Sequence, residues 1–243
     1  MGLKFKKESI AIIIPMFNEE VSAEKCVDRV IAEIKKVKKH TRLIVVNDGS
    51  KDKTLDILKR KKKFHKSRLK IISYEKNRGY GYALSTGIKW AIKDGFEYYI
   101  TMDSDLTNDP KYIHDFVSAM SDNVDCVKAS RYIDNGKVVN VPLFRRVISI
   151  VGNGMAGLFF NLGISDYTNG FKMVRLSKLK GVRFKENNFS IILEEIYHLK
   201  KKNSKFTEIP NILTARKDSK SHFKYTPRIF YDYFKYLILS LFA

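Results

Sequence analysis

The chain has 243 residues, 44% of them hydrophobic and 12% aromatic, so it is long and apolar enough to bury a core and is not a disordered polypeptide. Its formal net charge of +20 favours an anionic partner, such as a phosphorylated substrate, an acidic membrane surface or a nucleic acid. Its two cysteines and five histidines follow no metal-ligand or redox spacing, which excludes a zinc-ribbon or dithiol protein.

Short apolar runs alternate with helical patterns through the first half of the chain. The runs, which predict buried strands, are "IAIIIP" (10–15), "LIVVND" (43–48), "LKIISY" (69–74) and "YYITMD" (98–103). The helices that follow them are predicted from about 20 to 38, from an N-cap at Ser50, from about 81 to 93 and near 110–120. Buried strands that are each followed by a helix predict an α/β fold with a mostly parallel central sheet and helices on both faces.

Two apolar segments of the second half have a different character. "RRVISIVGNGMAGLFFNLG" (145–163) is helical but interrupted by glycines, and residues 229–243 place apolar side chains along one helical stripe. That stripe predicts either packing on the protein's own core or an interfacial helix on an anionic membrane. Because no segment contains about 20 consecutive apolar residues, we expect no membrane-spanning helix.

Polar, acidic and glycine-rich residues follow all four predicted strands. These stretches are "PMFNEE" (15–20), "NDGSKDKT" (47–54), "NRGYG" (77–81) and "DSDLTNDP" (103–110). In an open parallel sheet, ligands bind outside the carboxyl ends of the strands. The agreement among the four strand ends therefore predicts one binding site there.

Asp103 and Asp105 are the most informative residues of these stretches. Alternate residues of an extended chain point to the same side, so both carboxylates can bind one Mg²⁺ or Mn²⁺ ion that accepts the diphosphate oxygens of a nucleotide. A helix N-terminus is the competing interpretation, but Asp109 before Pro110 already supplies it. Asp48 is expected in a nucleobase pocket, although Asp-Gly is also a common turn.

Six segments resemble, in order and spacing, family 2 glycosyltransferases of the GT-A fold: "IAIIIPMFNEE", "IVVNDGSKDKT", "NRGYGYALSTGIKWA", "YYITMDSDLTNDP", "ASRYIDNG" and "YTNGFKMVR". The resemblance runs from about residue 9 to 222, most of the chain. Within that family the chain looks like the dolichol-phosphate mannosyltransferase and polyprenyl-phosphate glycosyltransferase branch. The resemblance implies metal-dependent, inverting transfer of mannose or glucose from GDP-mannose or UDP-glucose to a polyprenyl phosphate.

The resemblance also implies roles for individual residues. The residues implied to bind the nucleotide sugar are Pro15, Phe17, Glu19, Asp48, Asn77 and Asp103. The metal ligands implied are Asp103 and Asp105, with Thr107 in a position where the branch often has a metal-binding glutamine. The residues implied to hold the acceptor phosphate are Arg131, Arg145, Ser149, Arg216 and Lys220, of which the first four join Asp105 in the catalytic set. The C-terminal signature Arg-x-x-Gly-x-Ser-Lys is present in the altered form "RKDSKSH" (216–222).

The acceptor chemistry explains why no catalytic base stands out. A phosphate monoester has a second pKa of about 6, so near neutral pH a polyprenyl phosphate is largely a dianion and already a nucleophile. Arginine suits its recognition because the guanidinium offers a planar fork of donors. Glu194 and Glu195 are interpreted as helix-surface carboxylates rather than bases.

The implied organisation is a GT-A catalytic domain over 1–225 and an amphipathic, membrane-associating helix over 226–243. We expect the protein on the cytoplasmic face of a membrane, as a peripheral enzyme or the soluble domain of a membrane enzyme. The alternatives are a family 2 enzyme acting on a polysaccharide, a protein or another lipid, a catalytically silent nucleotide-sugar-binding module, and a basic nucleic-acid-binding protein. A nucleic-acid-binding protein would not explain the acidic residues at the strand ends, so no nucleic-acid partner is expected.

Overall fold

A seven-stranded sheet forms the centre of the protein in a computed structural model that describes residues 5–215 and 226–243. The strand order is β3-β2-β1-β4-β7-β5-β8, and a separate two-stranded sheet pairs β6 with β9. The strands are β1 (Lys6–Met16), β2 (Thr41–Asp48), β3 (Leu69–Tyr74), β4 (Phe96–Thr101), β5 (Cys126–Ser130), β6 (Lys137–Val139), β7 (Lys172–Arg175), β8 (Phe206–Pro210) and β9 (Ile212–Thr214).

Parallel pairing dominates the central sheet. The pairs β1–β2, β2–β3, β1–β4 and β5–β8 are parallel, and β7 runs antiparallel to its neighbours β4 and β5. The apolar run Ile10–Ile14 is fully buried because helices cover both faces of the sheet. The predicted α/β class, with its mostly parallel sheet, is confirmed.

Seven α-helices and a 3-10 turn (Leu176–Leu179) occur in the described part of the chain. On one face of the sheet α1, α2 and α4 bury apolar residues in one core, and on the other face α3 and α6 do so in a second core. The helices are α1 (Ala23–Lys36), α2 (Thr54–His65), α3 (Tyr80–Lys93), α4 (Tyr112–Ala119), α5 (Leu143–Phe160), α6 (Ile191–Lys201) and α7 (Pro227–Ser240).

The start of α2 differs from the prediction, which placed its N-cap at Ser50. The helix begins at Thr54, because Asp52 organises the preceding turn by accepting hydrogen bonds from the backbone and hydroxyl of Thr54. The Ser50 hydroxyl instead accepts a hydrogen bond from the backbone of Asn18. The loops after β1 and β2 are thereby tied together at the carboxyl edge of the sheet.

A third apolar cluster joins α5, α6 and α7 at that edge. Helix α5 is continuous through its glycines, and within the described ranges it alone is long and apolar enough to cross a membrane by length and composition. One such helix is weak evidence for a span, although this one is mostly exposed, unlike a core helix. Helix α5 has 18 residues and includes Arg145 and Arg146, so the expectation that no segment spans a membrane stays a prediction.

Candidate active site

A cleft of about 1680 Å³ opens at the carboxyl ends of β1, β2 and β4 and continues between α5 and α7. Every predicted site residue that the structure describes lines it: Pro15, Phe17, Glu19, Asp48, Asn77, Asp103, Asp105, Arg131, Arg145 and Ser149. Arg216 and Lys220 lie outside the described residues. Ligand clefts usually measure about 300–1,000 Å³, so this one has room for two substrates side by side.

Asp103 and Asp105 lie in a turn beyond β4, which ends at Thr101. The premise that they alternate along an extended strand is therefore wrong, although both line the cleft. The turn is held by Asp105, whose Oδ1 accepts hydrogen bonds from the backbone of Thr107 (3.1 Å) and from its hydroxyl (2.8 Å). Thr107 thus orients one of the two carboxylates.

Negative charge is concentrated at this end of the cleft, where Glu19 joins the two aspartates. The pKa of the nearby Cys26 thiol reflects that charge. Burial raises this pKa most, and the negative charges of Asp105, Glu19 and Asp103 raise it further. Among the described residues no three His, Cys, Asp or Glu side chains form a complete metal cage. Two carboxylates fit an Mg²⁺ or Mn²⁺ ion that completes its coordination with substrate phosphates and water.

Asp48 is buried and bonded to the loop that leads into α3. Its Oδ1 accepts from the backbone of Arg78 (2.8 Å), and its Oδ2 accepts from the backbone of Gly79 (2.8 Å) and the side chain of Asn77 (2.9 Å). Asp48 therefore shapes the 77–79 loop, and any contact it makes with a base would share these oxygens.

The glycines of "NRGYG" allow close packing between two loops. A Cβ at Gly79 would lie 2.2 Å from the carbonyl oxygen of Asn187, and one at Gly81 would lie 2.3 Å from that of Glu186. The backbone of Gly81 also donates a hydrogen bond to the Asn187 carbonyl (2.9 Å). Segment 186–190 is therefore pressed against the 77–81 loop, which explains these glycines without a phosphate.

Arg131 lines the cleft, but two nitrogens of its fork already donate hydrogen bonds to other side chains. Its Nε and Nη2 each donate to a carboxylate oxygen of Asp166 at 2.7 Å, and Nη2 also donates to Thr168. Burial alone would raise the pKa of Asp166, but the hydrogen bonds and charge of Arg131 hold that pKa below its usual value. Arg131 thus ties the end of β5 to the 166–169 loop, and its implied contact with an acceptor phosphate stays a prediction.

A hydrogen-bonded hub continues from this ion pair into α5. The hydroxyl of Ser149 accepts from Tyr132 (2.9 Å) and lies 3.2 Å from that of Thr168. Asn153 accepts from the backbone of Tyr167 (2.7 Å) and of Thr168 (3.0 Å). The hub fixes α5 against the 166–169 loop, and Ser149 acts within it.

Arg145, in the first turn of α5, has a different environment. Its Nε is buried and has no hydrogen-bond partner, while its guanidinium lies 5.9 Å from the ring of Phe144. Arg146 also lines the cleft. A buried donor without a partner is energetically costly, and Arg145 and Arg146 together concentrate positive charge at this end of the cleft.

Glu194 and Glu195 are buried, so their interpretation as helix-surface carboxylates is wrong. Glu194 accepts from the backbones of Lys185 and Glu186. Glu195 accepts from the hydroxyl of Tyr99 and forms an ion pair with buried Lys172, with 2.8 Å between Nζ and Oε2. Neither carboxylate lines the cleft, and both connect α6 to neighbouring segments.

The far end of the cleft is apolar. Val147, Val151 and Met155 of α5 and Phe230 and Phe234 of α7 line it. The same two helices present an exposed apolar surface, which we call the α5–α7 surface; it comprises Leu143, Phe144, Val147, Ile150, Val151, Met155, Leu158, Phe230, Tyr231, Phe234, Ile238, Leu239, Leu241 and Phe242. Contiguous apolar patches of this kind are typical of interaction sites.

Several residues of the site were not foreseen from the sequence. Asn188 and Phe189 line the cleft, and Phe189 stacks on Tyr80 with ring centroids 4.3 Å apart. Thr168 and Asn169 belong to the "YTNG" stretch, whose recognisable motif was the only available signal. For the loop residues 188 and 189 no periodicity or spacing pointed to the site.

Comparison with known proteins agrees with this architecture. The glycosyl transferase family 2 model matches residues 11–183. The chain is 30% identical over 217 residues to dolichol-phosphate mannosyltransferase of Pyrococcus furiosus, covering 88% of this chain and 59% of that protein. It is 28% identical over 171 residues to polyprenol monophosphomannose synthase of Mycolicibacterium smegmatis, covering 70% of this chain and 63% of that protein. The chain thus spans less than two thirds of either relative.

The fold is shared with a solved GT-A enzyme. Glucosyl-3-phosphoglycerate synthase from Mycobacterium tuberculosis, in complex with Mn²⁺, UDP and glucosyl-3-phosphoglycerate, superposes with a TM-score of 0.63 at 17% identity. The match covers 88% of this chain and 73% of that one. On the family model and the strand-end site together, the chain belongs to glycosyl transferase family 2.

Proposed function

We propose that this protein transfers a hexose from a nucleotide-diphosphate sugar to a polyprenyl phosphate, with a divalent cation and with inversion at the anomeric carbon. One observation carries the proposal: a single cleft joins an acidic end, at Asp103 and Asp105, to an end with an unpaired Arg145 Nε and apolar walls. The acidic end suits a metal-bound diphosphate. The other end suits a phosphate on an apolar chain.

The names of the relatives support both substrates. The P. furiosus protein is a dolichol-phosphate mannosyltransferase and the M. smegmatis protein a polyprenol monophosphomannose synthase, so a polyprenyl acceptor and mannose are the first choice. The M. tuberculosis enzyme binds Mn²⁺ and UDP. GDP-mannose and UDP-glucose are therefore the two donors to test.

The chain's own residues would work chiefly by positioning and by charge. Asp103 and Asp105 would hold an Mg²⁺ or Mn²⁺ ion, which when bound neutralises charge on the departing nucleoside diphosphate. Thr107 keeps the Asp105 carboxylate in place through its hydroxyl. Asp48 fixes the 77–79 loop that borders the nucleotide.

At the acceptor end, Arg145 would bind the phosphate directly, while Arg131 and Ser149 would hold α5 and the 166–169 loop in position. A phosphate oxygen of the acceptor would attack the anomeric carbon as the bond from that carbon to the donor diphosphate breaks on the opposite face. Because the acceptor is already a dianion, no proton has to be removed. This agrees with the location of Glu194 and Glu195 away from the cleft.

The α5–α7 surface would place the enzyme peripherally on the cytoplasmic face of a membrane, or serve as the membrane-facing side of a larger membrane enzyme's soluble domain. Its apolar side chains would enter the interfacial region, and the net charge of +20 would favour anionic lipids. The prenyl chain of the acceptor would then reach the apolar end of the cleft without leaving the lipid.

A transfer assay with two labelled donors tests the proposal. Radiolabelled GDP-mannose and UDP-glucose are incubated separately with a short polyprenyl phosphate, with manganese and with chelator. We expect label in the lipid fraction from one donor, dependent on the metal. Lipid label that persists in full with chelator would contradict the metal role, and absence of label from both donors would contradict the proposed reaction.

A further inference from the structure

Helix α7 is tied to the donor half of the cleft by polar side chains that no described step of transfer uses. Its Asp232, buried in the middle of the helix, accepts a hydrogen bond from the side chain of Asn188 (3.0 Å). One turn on, the ammonium of Lys235 forms an ion pair with Glu186, and the hydroxyl of Tyr236 donates to the same carboxylate (3.0 Å). We call these two connections the α7 latch.

Both connections end on segment 186–190, which forms a wall of the cleft. Asn188 also accepts a hydrogen bond from the backbone of Ser190 (2.6 Å), so the same side chain joins α7 to the start of α6. The carbonyl oxygens of Glu186 and Asn187 lie so close to Gly81 and Gly79 that no Cβ fits between them. A shift of this segment would therefore move the 77–81 loop.

The 77–81 loop in turn holds the Asp48 carboxylate. The backbones of Arg78 and Gly79 donate to Asp48, as does the Asn77 side chain. A continuous series of contacts thus runs from α7 to the loop that borders the nucleotide. Since the outer face of α7 belongs to the α5–α7 surface, the helix faces the proposed membrane on one side and the donor site on the other.

We infer that the α7 latch positions the donor site, so that nucleotide affinity depends on whether α7 is seated against segment 186–190. Asn188, Asp232, Glu186 and Lys235 are positioning residues in this account, since they act through the 77–81 loop. The inference rests on the proposed function for the identity of the donor, but the loop coupling can be measured without any nucleotide.

A reciprocal exchange of the latch residues provides the sharpest test. Asn188→Asp places two carboxylates against each other and should separate α7 from segment 186–190, because like charges at this distance repel. The double variant with Asp232→Asn restores an amide-to-carboxylate hydrogen bond with the roles reversed, and the new carboxylate at position 188 can still accept from the Ser190 backbone. A structural defect at either single position would not be repaired by the exchange.

Two readouts separate the latch from the proposed function. Hydrogen exchange measured by mass spectrometry on peptides covering 75–84 reports on the loop, and calorimetric titration with GDP or UDP plus Mn²⁺ reports on the site. For Asn188→Asp we expect faster exchange in 75–84 and about tenfold weaker nucleotide binding, the loss typical of one charge-assisted hydrogen bond. The double variant should recover both values to within about twofold.

Lys235→Met gives an independent variant should Asn188→Asp not fold, since it removes one charge of the latch and keeps most of the apolar stem. It should accelerate exchange in 75–84. The matched control is Lys36→Met, which removes the partner of Glu33 in an exposed α1 ion pair and should change neither readout. Unchanged exchange in 75–84 with a folded latch variant, or a double variant no better than Asn188→Asp, would overturn the latch. If the wild type binds neither nucleotide, the donor assignment is wrong while the exchange data still decide on the latch.

Discussion

At the scale of single residues, the site separates groups that can meet a substrate from groups that hold others in place. Asp103 and Asp105 line the cleft. The Arg131 guanidinium also lines it but donates to Asp166, and the Asp48 carboxylate accepts hydrogen bonds from the 77–79 loop. The role of a charged side chain at the cleft is therefore judged from the groups that its donors or acceptors already bind. Arg145 lines the cleft and its Nε has no hydrogen-bond partner among the described residues, which is why we propose it as a ligand of the acceptor phosphate.

Asp105→Ala should abolish transfer while leaving the fold intact. The carboxylate lines the cleft and bonds to Thr107 within its own turn, so its loss removes charge at the proposed metal site rather than packing. Activity is measured as labelled lipid with added manganese, and folding by circular dichroism. Asp122→Ala, at an exposed position before β5, is the matched control. Substantial turnover by Asp105→Ala at high manganese would refute the metal assignment.

Lys128 gives the protein a predictable response to alkaline pH. Burial and the neighbouring Lys172 charge lower the pKa of Lys128 to about 8, and its ammonium donates to the carbonyls of Tyr167 and Asn169. Between about pH 8 and 10 the unfolded chain keeps this proton more strongly than the folded one, so raising the pH stabilises the fold by about 1.4 kcal/mol per unit of pKa difference.

The measurement compares urea unfolding of the wild type with that of Lys128→Met over pH 7–10. The variant should be less stable at every pH because two carbonyls lose a donor, and its free energy of unfolding should rise less with pH than that of the wild type. Parallel curves for the two proteins would show that Lys128 keeps an ordinary pKa.

At the scale of elements, two loops in contact set the geometry of the donor half of the cleft. The approach of segment 186–190 to α3 requires residue 81 to lack a side chain. Gly154, in the exposed part of α5, has no atom within 4 Å of a Cβ built on it. The same substitution should therefore have opposite effects at these two positions.

Gly81→Ala should destabilise the protein by about 1–3 kcal/mol, since a backbone oxygen 2.3 Å from the new Cβ has to move. Gly154→Ala should stabilise it by about 0.5–1 kcal/mol through the lower backbone entropy of alanine in the unfolded chain. Thermal unfolding of the two variants measures both. Equal shifts of the melting temperature would show that the contact at residue 81 is not tight.

The elements themselves were largely predictable, and their side-chain partners were not. Four apolar runs located β1 to β4 because buried parallel strands carry a continuous apolar signal, and the polar strand ends located the cleft. Asp166 lies 35 positions from Arg131, and Lys172 lies on a different element from Glu195, so neither pairing leaves a local pattern. Asp105 lines the cleft together with the other strand ends, but the extended-strand geometry predicted for it is wrong, because β4 ends earlier than its apolar run suggested.

At the scale of the whole molecule, an apolar surface lies beside the mouth of the cleft and a lysine-rich helix, α2, lies at the β3 edge of the sheet. Helix α7 buries Ile229, Tyr236 and Leu237, half-buries Tyr233 and exposes its remaining apolar residues. The sequence offered two interpretations of the apolar stripe in residues 229–243, namely core packing and membrane contact. One side of the helix packs on the core, and the other side is the one available to a membrane. We propose that residues 226–243 complete the catalytic unit rather than form a separate appendage to it.

Loss of two exposed side chains from the α5–α7 surface should weaken binding to vesicles of mixed phosphatidylserine and phosphatidylcholine. Leu158 and Phe242 are each 82% exposed, so their replacement by serine costs little stability and removes about 1.5–3 kcal/mol of burial per side chain in a membrane. Co-sedimentation should show at least a tenfold weaker partition, on the order expected from that burial.

Phe64→Ser is the matched control for this pair. Phe64 is 74% exposed near the end of α2, among lysines that give it the same electrostatic attraction to anionic lipid. Phe64→Ser should leave the partition of the protein onto these vesicles unchanged. If the control weakens binding as much as the double variant does, the membrane contacts the β3 edge of the protein.

The apolar end of the cleft, Arg145 and the α5–α7 surface all support a polyprenyl phosphate as the acceptor, and competition among acceptors tests that identity most directly. Wild-type protein, manganese and the labelled donor that supports transfer are incubated with an equal mixture of a short polyprenyl phosphate, the matching polyprenol and a soluble sugar phosphate. We expect label almost entirely in the polyprenyl phosphate, and we expect Arg145→Lys to raise the KM for that acceptor and not for the donor. Preferential label in the polyprenol or in the soluble sugar phosphate would contradict it.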